Sequence, residues 1–472
     1  MKKISAPARL VSLGVLVGLA VTGCTITADD GETGEGEGEG EGEGSIDLSN
    51  IDRDHTIEGD VTVDGDINVN NGATLTIAPG TTIRMSSGHW LRIEDGVLKA
   101  DGTADEPITI RGVDDGKARF LGVDLRSGTR SGTSLSFVTI DGGGEVGFGD
   151  RGCLSIVDVP ADRVALADLT LQNCGQAGLR MTGNTGPLTT FDRITINAAD
   201  VGVFVSQRIA GEIDELVTTS EVLENRLFDD NNVEESYTLT AQNEPWHVTG
   251  DLDVGGTAAP ILTIEAGATL RFEESKWIAV GNSGPGGLVA VGTAEAPIRF
   301  TSVDQGESTK GAWLGVYLRG ETLSGSRLAF VDVVGGGQDL FSSKGCITLD
   351  GGINDKVALS DVTLRQCGLA GIGIGDDMQP LTAFERISFD SCDRGIVSGI
   401  VGYGGITSTA SFTATPSNLI VASSLDTDVT IVTQPAFFTV EGDLIVNDGA
   451  TLTIAAGNEL RFNANQYLNI EA

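Results

Sequence analysis

The sequence predicts an all-β chain wound as a parallel β-helix of two tandem units of about 190 residues, with the start of a third. The phrase TLTIAPGTTIRM (74–85) returns as ILTIEAGATLRF (261–272) and as TLTIAAGNELRF (451–462). Within a unit, apolar residues fall at every second position, as in Leu75 and Ile77, Ile83 and Met85, Leu91 and Ile93, Leu98 and Ala100, and Ile108 and Ile110. Period two is the signature of a strand. The segments are only three to five residues long and are punctuated by Gly, Asp and Asn, in a chain with 66 Gly. Strands this short and numerous suit a solenoid, where each coil adds one rung to several long parallel sheets.

The order of smaller matches supports a duplicated array. Glu58-Gly59-Asp60-Val61 aligns with Thr249-Gly250-Asp251-Leu252 and Glu441-Gly442-Asp443-Leu444. Gly102-Thr103-Ala104, Phe120-Leu121-Gly122-Val123, Gly152-Cys153 and Phe191-Asp192-Arg193-Ile194 find counterparts at Gly292-Thr293-Ala294, Trp313-Leu314-Gly315-Val316, Gly345-Cys346 and Phe384-Glu385-Arg386-Ile387. The expected divisions are 1–23, 24–45, unit 1 over 46–245, unit 2 over 246–436, and the start of unit 3 over 437–472. The last strand motif is cut at Ala472, which reads as the truncated product of a longer chain. One window, Glu212 to Leu227, has a composition that admits a turn or two of helix.

The N-terminus reads as an export signal. Lys2, Lys3 and Arg9 precede an apolar run, Val11 to Ala20, that is too short to span a bilayer as a mature helix. The signal closes on Val21-Thr22-Gly23-Cys24, which resembles the lipobox of bacterial lipoproteins, and the resemblance implies lipidation of Cys24. A membrane partner through that lipid, without a spanning segment, follows from it. Thr25, where the inner-membrane retention pattern has Asp, implies an outer-membrane or cell-surface address. Residues 25–45 alternate Gly with Glu and contain almost nothing apolar, so they are expected to form an extended acidic tether.

The net charge is −37, and loss of the leader removes only positive charges. That balance argues against nucleic acid as a partner. The three His residues, His55, His89 and His247, fall in no metal-ligand spacing and read as turn or surface residues, so no metal site is assigned. No nucleophile elbow, phosphate loop or zinc-protease motif is present.

Five cysteines form the next pattern. Cys153 and Cys174, like Cys346 and Cys367, are 21 residues apart, about one coil, and Cys392 follows Cys367 by 25. Strand spacing lies within disulfide reach, so the ladder is expected to be bridged pairs 153–174 and 346–367 or a stack of buried thiols. Alternation also turns Trp90, Trp277 and Tyr467 outward, and with them Trp313 and Tyr317, the candidates for stacking on a sugar. The unit-to-unit distance, about eight strand spacings or roughly 38 Å, separates Trp90 from Trp277 too far for one platform.

Taken together, LTIEAGATLRF, GTAEAPIRFTS, GAWLGVYL and CGLAGIGI make residues 46–472 resemble the right-handed parallel β-helix repeat proteins of bacterial surfaces, within the pectate-lyase-like group. The resemblance implies a binding, adhesion or structural module facing a polysaccharide or cell-surface ligand. It leaves open a polysaccharide lyase or glycoside hydrolase, or a calcium-stabilised surface layer. Lyases of this fold hold Ca²⁺ on Asp clusters and use a cationic base. The matching positions here are Asp114-Asp115, Asp229-Asp230 and Asp376-Asp377, with Arg193 and Arg386 as cations. No catalytic residue and no obligatory cofactor is assigned, although Ca²⁺ fits the acidity.

Overall fold

A computed structural model describes residues 48–145, 151–213, 217–228, 233, 235–303, 309–340, 345–375 and 378–471. Cys24 and the tether lie outside the described residues, as do Asp229-Asp230 and Asp376-Asp377. Among the described residues there are no α-helices, only three short 3-10 turns and strands that pair in parallel, most of them in one 27-stranded and one 10-stranded sheet. The chain is an all-β parallel β-helix.

Each coil of the first unit contributes to three faces. On face A, His55–Ile57 pairs with Ala73–Ile77, which pairs with 96–100 and on through 133–136, 164–167 and 190–192. Face B runs from Asp60–Val63 through Thr82–Met85, Ile108–Gly112, 138–141 and 169–172. Face C runs from Ile67–Val69 through 90–93, 122–125, 154–157, 179–182, 201–205 and 224–228. The alternation read in the sequence decides what fills the centre: Leu75, Ile77, Ile83, Met85, Leu91, Ile93, Leu98, Ala100, Ile108 and Ile110 are all at most 1% exposed. Burying a row of such side chains contributes about 1.5–3 kcal/mol per residue against the entropy of ordering the chain.

The corners between faces are set by left-handed residues stacked in columns. Phe137, Asp168 and Arg193 take φ of 49°, 53° and 51° at one corner, and Phe330, Asp361 and Arg386 take 50°, 52° and 52° at its counterpart. Each column turns the chain sharply without interrupting the ladders on either side.

Four sequence expectations change. Among its described residues the window Glu212–Leu227 holds no α-helix: Gln207–Glu212 is a 3-10 turn, and Val217–Ser220 and Glu224–Phe228 are strands, because their apolar residues serve two coil faces rather than one helix stripe. The Glu58–Val61 match is displaced by one strand. Val61 pairs with Ile83, whereas Leu252 pairs with Ile278 and Leu444 with Leu468, so the counterpart of Asp251 and Asp443 is Asp66. The cysteine spacing of 21 is not the coil. Gly152 lies against Ala177 and Leu154 against Leu179, a period of 25, so Cys174 sits at a corner four residues ahead of the position in register with Cys153. Finally, His55 is a buried strand residue and His247 a largely buried one, not turn residues.

The junction of the two units rotates the stack by one face. The first unit's face C continues from Glu224–Phe228 to Trp246–Val248 and then to Thr269–Phe272. In the second unit that last strand occupies the face-B position, equivalent to Thr82–Met85, and face C begins afresh with Leu252–Val254 and Trp277–Val280. Equivalent residues of the two units therefore look out in different directions.

Candidate anion-binding face

The outward positions on face C of the first unit form a single column. From one strand to the next the register places Asn68, Arg92, Asp124, Ser155, Arg180, Phe204 and Arg226 side by side. Arg126 and Arg151 flank it. Five guanidiniums thus gather on one face of a chain whose net charge is −37.

One carboxylate organises the upper half. Asp124, with only 4% of its side chain exposed, accepts from Arg92 Nε at 3.0 Å, Arg126 Nη2 at 2.8 Å and Arg151 Nη1 at 3.3 Å, all through Oδ2. Arg92 also reaches Glu94 Oε1 through Nη1 at 3.2 Å, so three guanidiniums meet one buried and one exposed carboxylate. Burial pulls the Arg151 guanidinium below its ordinary value, Asp124 opposes that, and Arg92 and Arg126 add repulsion in the same direction as burial. A guanidinium does not release its proton at accessible pH, so Arg151 stays charged in this half-buried position. Trp90 is half-buried beneath the cluster, with Arg92 3.6 Å and Arg151 5.2 Å from its ring centre, and its Nε1 donates to Asn68 Oδ1 at 2.9 Å.

The lower half opens into a cavity of about 230 Å³ lined by Arg151, Gln176, Arg180, Asp200, Phe204 and Arg226. Gln176 Oε1 accepts from the Arg151 backbone at 2.6 Å, Lys117 Nζ lies 2.5 Å from Asp200, and the Arg180 guanidinium lies 5.6 Å from the Phe204 ring centre. Arg226 Nε donates to Glu224 Oε1 at 2.8 Å and keeps 42% of its side chain exposed. The geometry offers forked donors beside an aromatic face, a combination that suits a carboxylated sugar.

The second unit lacks this chemistry at the same register. Arg92, Asp124, Arg180, Phe204 and Arg226 correspond to Ala279, Tyr317, Gly373, Val397 and Leu419, and the strand of Ala279 opens on Trp277 as that of Arg92 opens on Trp90. Interior positions are kept instead: Asn225 and Asn418, both 0% exposed, cap the Val203 and Ile396 amides at 3.0 and 2.9 Å. The two units share what builds the coil and differ in what faces outward.

The expected stacking aromatics are redistributed. Trp313 is an interior residue, 0% exposed, stacked on Phe272 at 4.4 Å and donating Nε1 to Val334 O at 2.8 Å. Gly315, at φ 114°, breaks the alternation between Trp313 and the strand Gly315–Leu318, so counting by two through the glycine puts Trp313 on the wrong side. Tyr317 does share the outward register of Ala279 and Thr348, yet it is also 0% exposed, packed with Ala279 and Leu314 and against half-buried Trp277. Trp90 and Trp277 are half-covered, and Tyr467 is 54% exposed.

Arg193 and Arg386 do not have the character of a base. Each grips a carboxylate on the coil below through two nitrogens, Arg193 with Asp168 and Arg386 with Asp361, at 2.6 and 2.7 Å in both pairs, and these bonds raise both guanidiniums further. Asp115 pairs with Arg111 on the surface. Among the described residues no group of three His, Cys, Asp or Glu side chains is arranged to hold a metal ion.

Cys153–Cys174 and Cys346–Cys367 are disulfides, with Cα atoms 5.5 and 5.4 Å apart. Cys392 is a buried free thiol. It follows Ser388–Asp390 as Cys367 follows 363–365, and so it stacks on Cys367 in the next coil.

The basic column was within reach of sequence reasoning only in part. Arg92, Arg180 and Arg226 stand at outward positions of L-R-I, L-R-M and N-R-L, which period two identifies, but nothing in the sequence says that these strands are neighbours. No family model, no curated protein and no solved structure matches the chain.

Proposed function

We propose that the protein is an exported, lipid-anchored bacterial surface protein whose β-helix binds an anionic polysaccharide on face C of its first unit. The lipobox-like sequence at Cys24 and the acidic tether support the anchor, and the ordered phrases shared by both units support a place among right-handed β-helix repeat proteins of the pectate-lyase-like group. The observation that carries the binding assignment is the gathering of Arg92, Arg126, Arg151, Arg180 and Arg226 on one face, where Arg151, Arg180 and Arg226 line the cavity and Arg92, Arg126 and Arg151 meet at Asp124. A ligand carboxylate entering there relieves the repulsion among them and gains charge-assisted hydrogen bonds. The strong negative charge elsewhere confines an anionic polymer to this face.

Binding rather than turnover fits the chemistry of the face. Its potential acids and bases are tied up: Asp124 by three arginines, Glu224 by Arg226 and His247. Calorimetric titration with polyuronates tests the assignment. Arg151→Ala with Arg226→Ala should weaken binding at least tenfold, the cost of losing about one charge-assisted bond or more, and raised salt should weaken it further. Retention of full affinity in the double variant would place the ligand elsewhere.

A further inference from the structure

Below the cavity the column does not stop at the end of the first unit. The register carries it from Arg180 to Phe204, Arg226, His247 and Arg271 on five successive strands, across the junction where face C of one unit becomes face B of the next. Guanidiniums and rings alternate along it. With strands about 4.8 Å apart, Arg180, Arg226 and Arg271 recur every 9.6 Å or so.

The intervening steps are unsuited to an anion. Phe204 presents an apolar ring. His247 is held between two carboxylates, with Nδ1 3.0 Å from Glu224 Oε1 and Nε2 3.1 Å from Glu273 Oε1. A carboxylate placed at that step would meet the charges of Glu224 and Glu273. Arg226 gives Nε to Glu224 and Arg271 gives Nη2 to Val303 O at 2.8 Å, so the face offers a partly engaged guanidinium at every second strand and two carboxylates at one step between.

Resting on the binding function proposed above, we infer that this face selects a linear polysaccharide in which a uronate alternates with an uncharged sugar, lying along the helix axis from Arg180 to Arg271. One ring of an extended glycan advances by a length comparable with one strand spacing, so alternate rings meet alternate strands. A homopolymeric uronate would put half of its carboxylates over Phe204 and the Glu224–His247–Glu273 cluster. The track crosses both units, which gives the rotation at their junction a consequence: it brings Arg271, a residue of the second unit, into line with the first unit's binding face.

The experiment is titration of the full chain with four- and six-ring oligosaccharides of alternating and of homopolymeric uronates. The six-ring alternating ligand, whose three carboxylates can reach all three arginines, should bind about tenfold tighter than the four-ring one, as one further charge-assisted contact would give. Arg271→Ala should abolish that gain and weaken four-ring binding by no more than about twofold, the loss of one of its two registers, while Arg271→Lys retains most of the gain and controls for folding. The six-ring homopolymer should bind about tenfold more weakly than its alternating counterpart. Equal or tighter binding of the homopolymer, no gain with length, or an Arg271→Ala loss equal for both lengths would overturn the inference while leaving the anion-binding face intact. Absence of binding by every oligosaccharide would instead overturn both.

Discussion

Asp168 holds Arg193 through both carboxylate oxygens, at 2.6 and 2.7 Å, and each residue occupies a left-handed corner of adjacent coils. Asp361 and Arg386 repeat the arrangement with the same distances. The pair ties one coil to the next where the chain turns most sharply. Its role is positional, and Arg193→Gln with Arg386→Gln is expected to leave ligand affinity unchanged while lowering the melting temperature slightly, an effect that fades in high salt.

The same pairs set an acid limit. The hydrogen bond from Arg193 to Asp168, like that from Arg386 to Asp361, holds the carboxyl below its ordinary range, against a smaller opposing effect of burial. A folded-state value below the unfolded one contributes stability that is fully present above about pH 4 and is lost as pH falls through the folded values. Thermal melts between pH 7 and pH 2 should show a steeper loss below pH 4 for the parent chain than for the double Asp168→Asn, Asp361→Asn variant. Parallel curves would show that the pairs carry no linkage.

Left-handed conformation at residues with a Cβ is a cost that glycine avoids. Ala198 and Ala414, at φ 54° and 48°, occupy the next corner in the first and second units respectively. The strain of roughly 1–2 kcal/mol exceeds the entropic penalty of glycine, about 0.5–1 kcal/mol. Ala198→Gly and Ala414→Gly should therefore stabilise the fold by up to about 1 kcal/mol each, read as an increased denaturant midpoint. A lower midpoint would show that the corner is held by contacts of the methyl group.

Reduction should separate the five cysteines of the β-helix into two classes. Each bridge closes a loop of 21 residues, so its removal is expected to cost about 3 kcal/mol. Peptide mapping without reductant should recover 153–174 and 346–367. Burial pushes the Cys392 thiol up to about 11, against weaker opposition from backbone donors, so it should resist alkylation at neutral pH until the protein unfolds. Rapid labelling of the native chain at Cys392 would contradict its placement.

Inside the coils, Asn225 and Asn418 are expected to be indispensable. Each carbonyl oxygen fills the space beside a glycine: a Cβ at Gly202 would lie 2.6 Å from Asn225 Oδ1, and one at Gly395 would lie 2.7 Å from Asn418 Oδ1. Asn225→Ala leaves the Val203 amide without its acceptor and should cost about 1–3 kcal/mol. Gly202→Ala should destabilise by displacing the same oxygen, whereas Asn225→Ala with Gly202→Ala should cost less than the two single changes added together.

What the sequence determined by itself was the architecture. Period-two apolar residues in short, glycine-bounded runs leave only strands, and Leu75, Ile77, Leu91 and Ile93 turned inward as the alternation requires. It also put Cys153 near Cys174 and Cys346 near Cys367, leaving bridges and stacked thiols as alternatives. Tertiary structure decided what the alternation cannot encode: coil length, neighbourhood and phase. His55 pairs with Leu75 but Val280 with Leu318, so a sequence interval does not measure a coil, and the spacing of 21 between cysteines joined a strand to a corner instead of two register partners. Gly315 reversed the phase that would have put Trp313 outside. Arg180, Arg226 and Arg271 lie far apart along the chain and meet because parallel ladders align whichever strands the corners deliver, a choice made by the stacking of whole coils and not by any one segment.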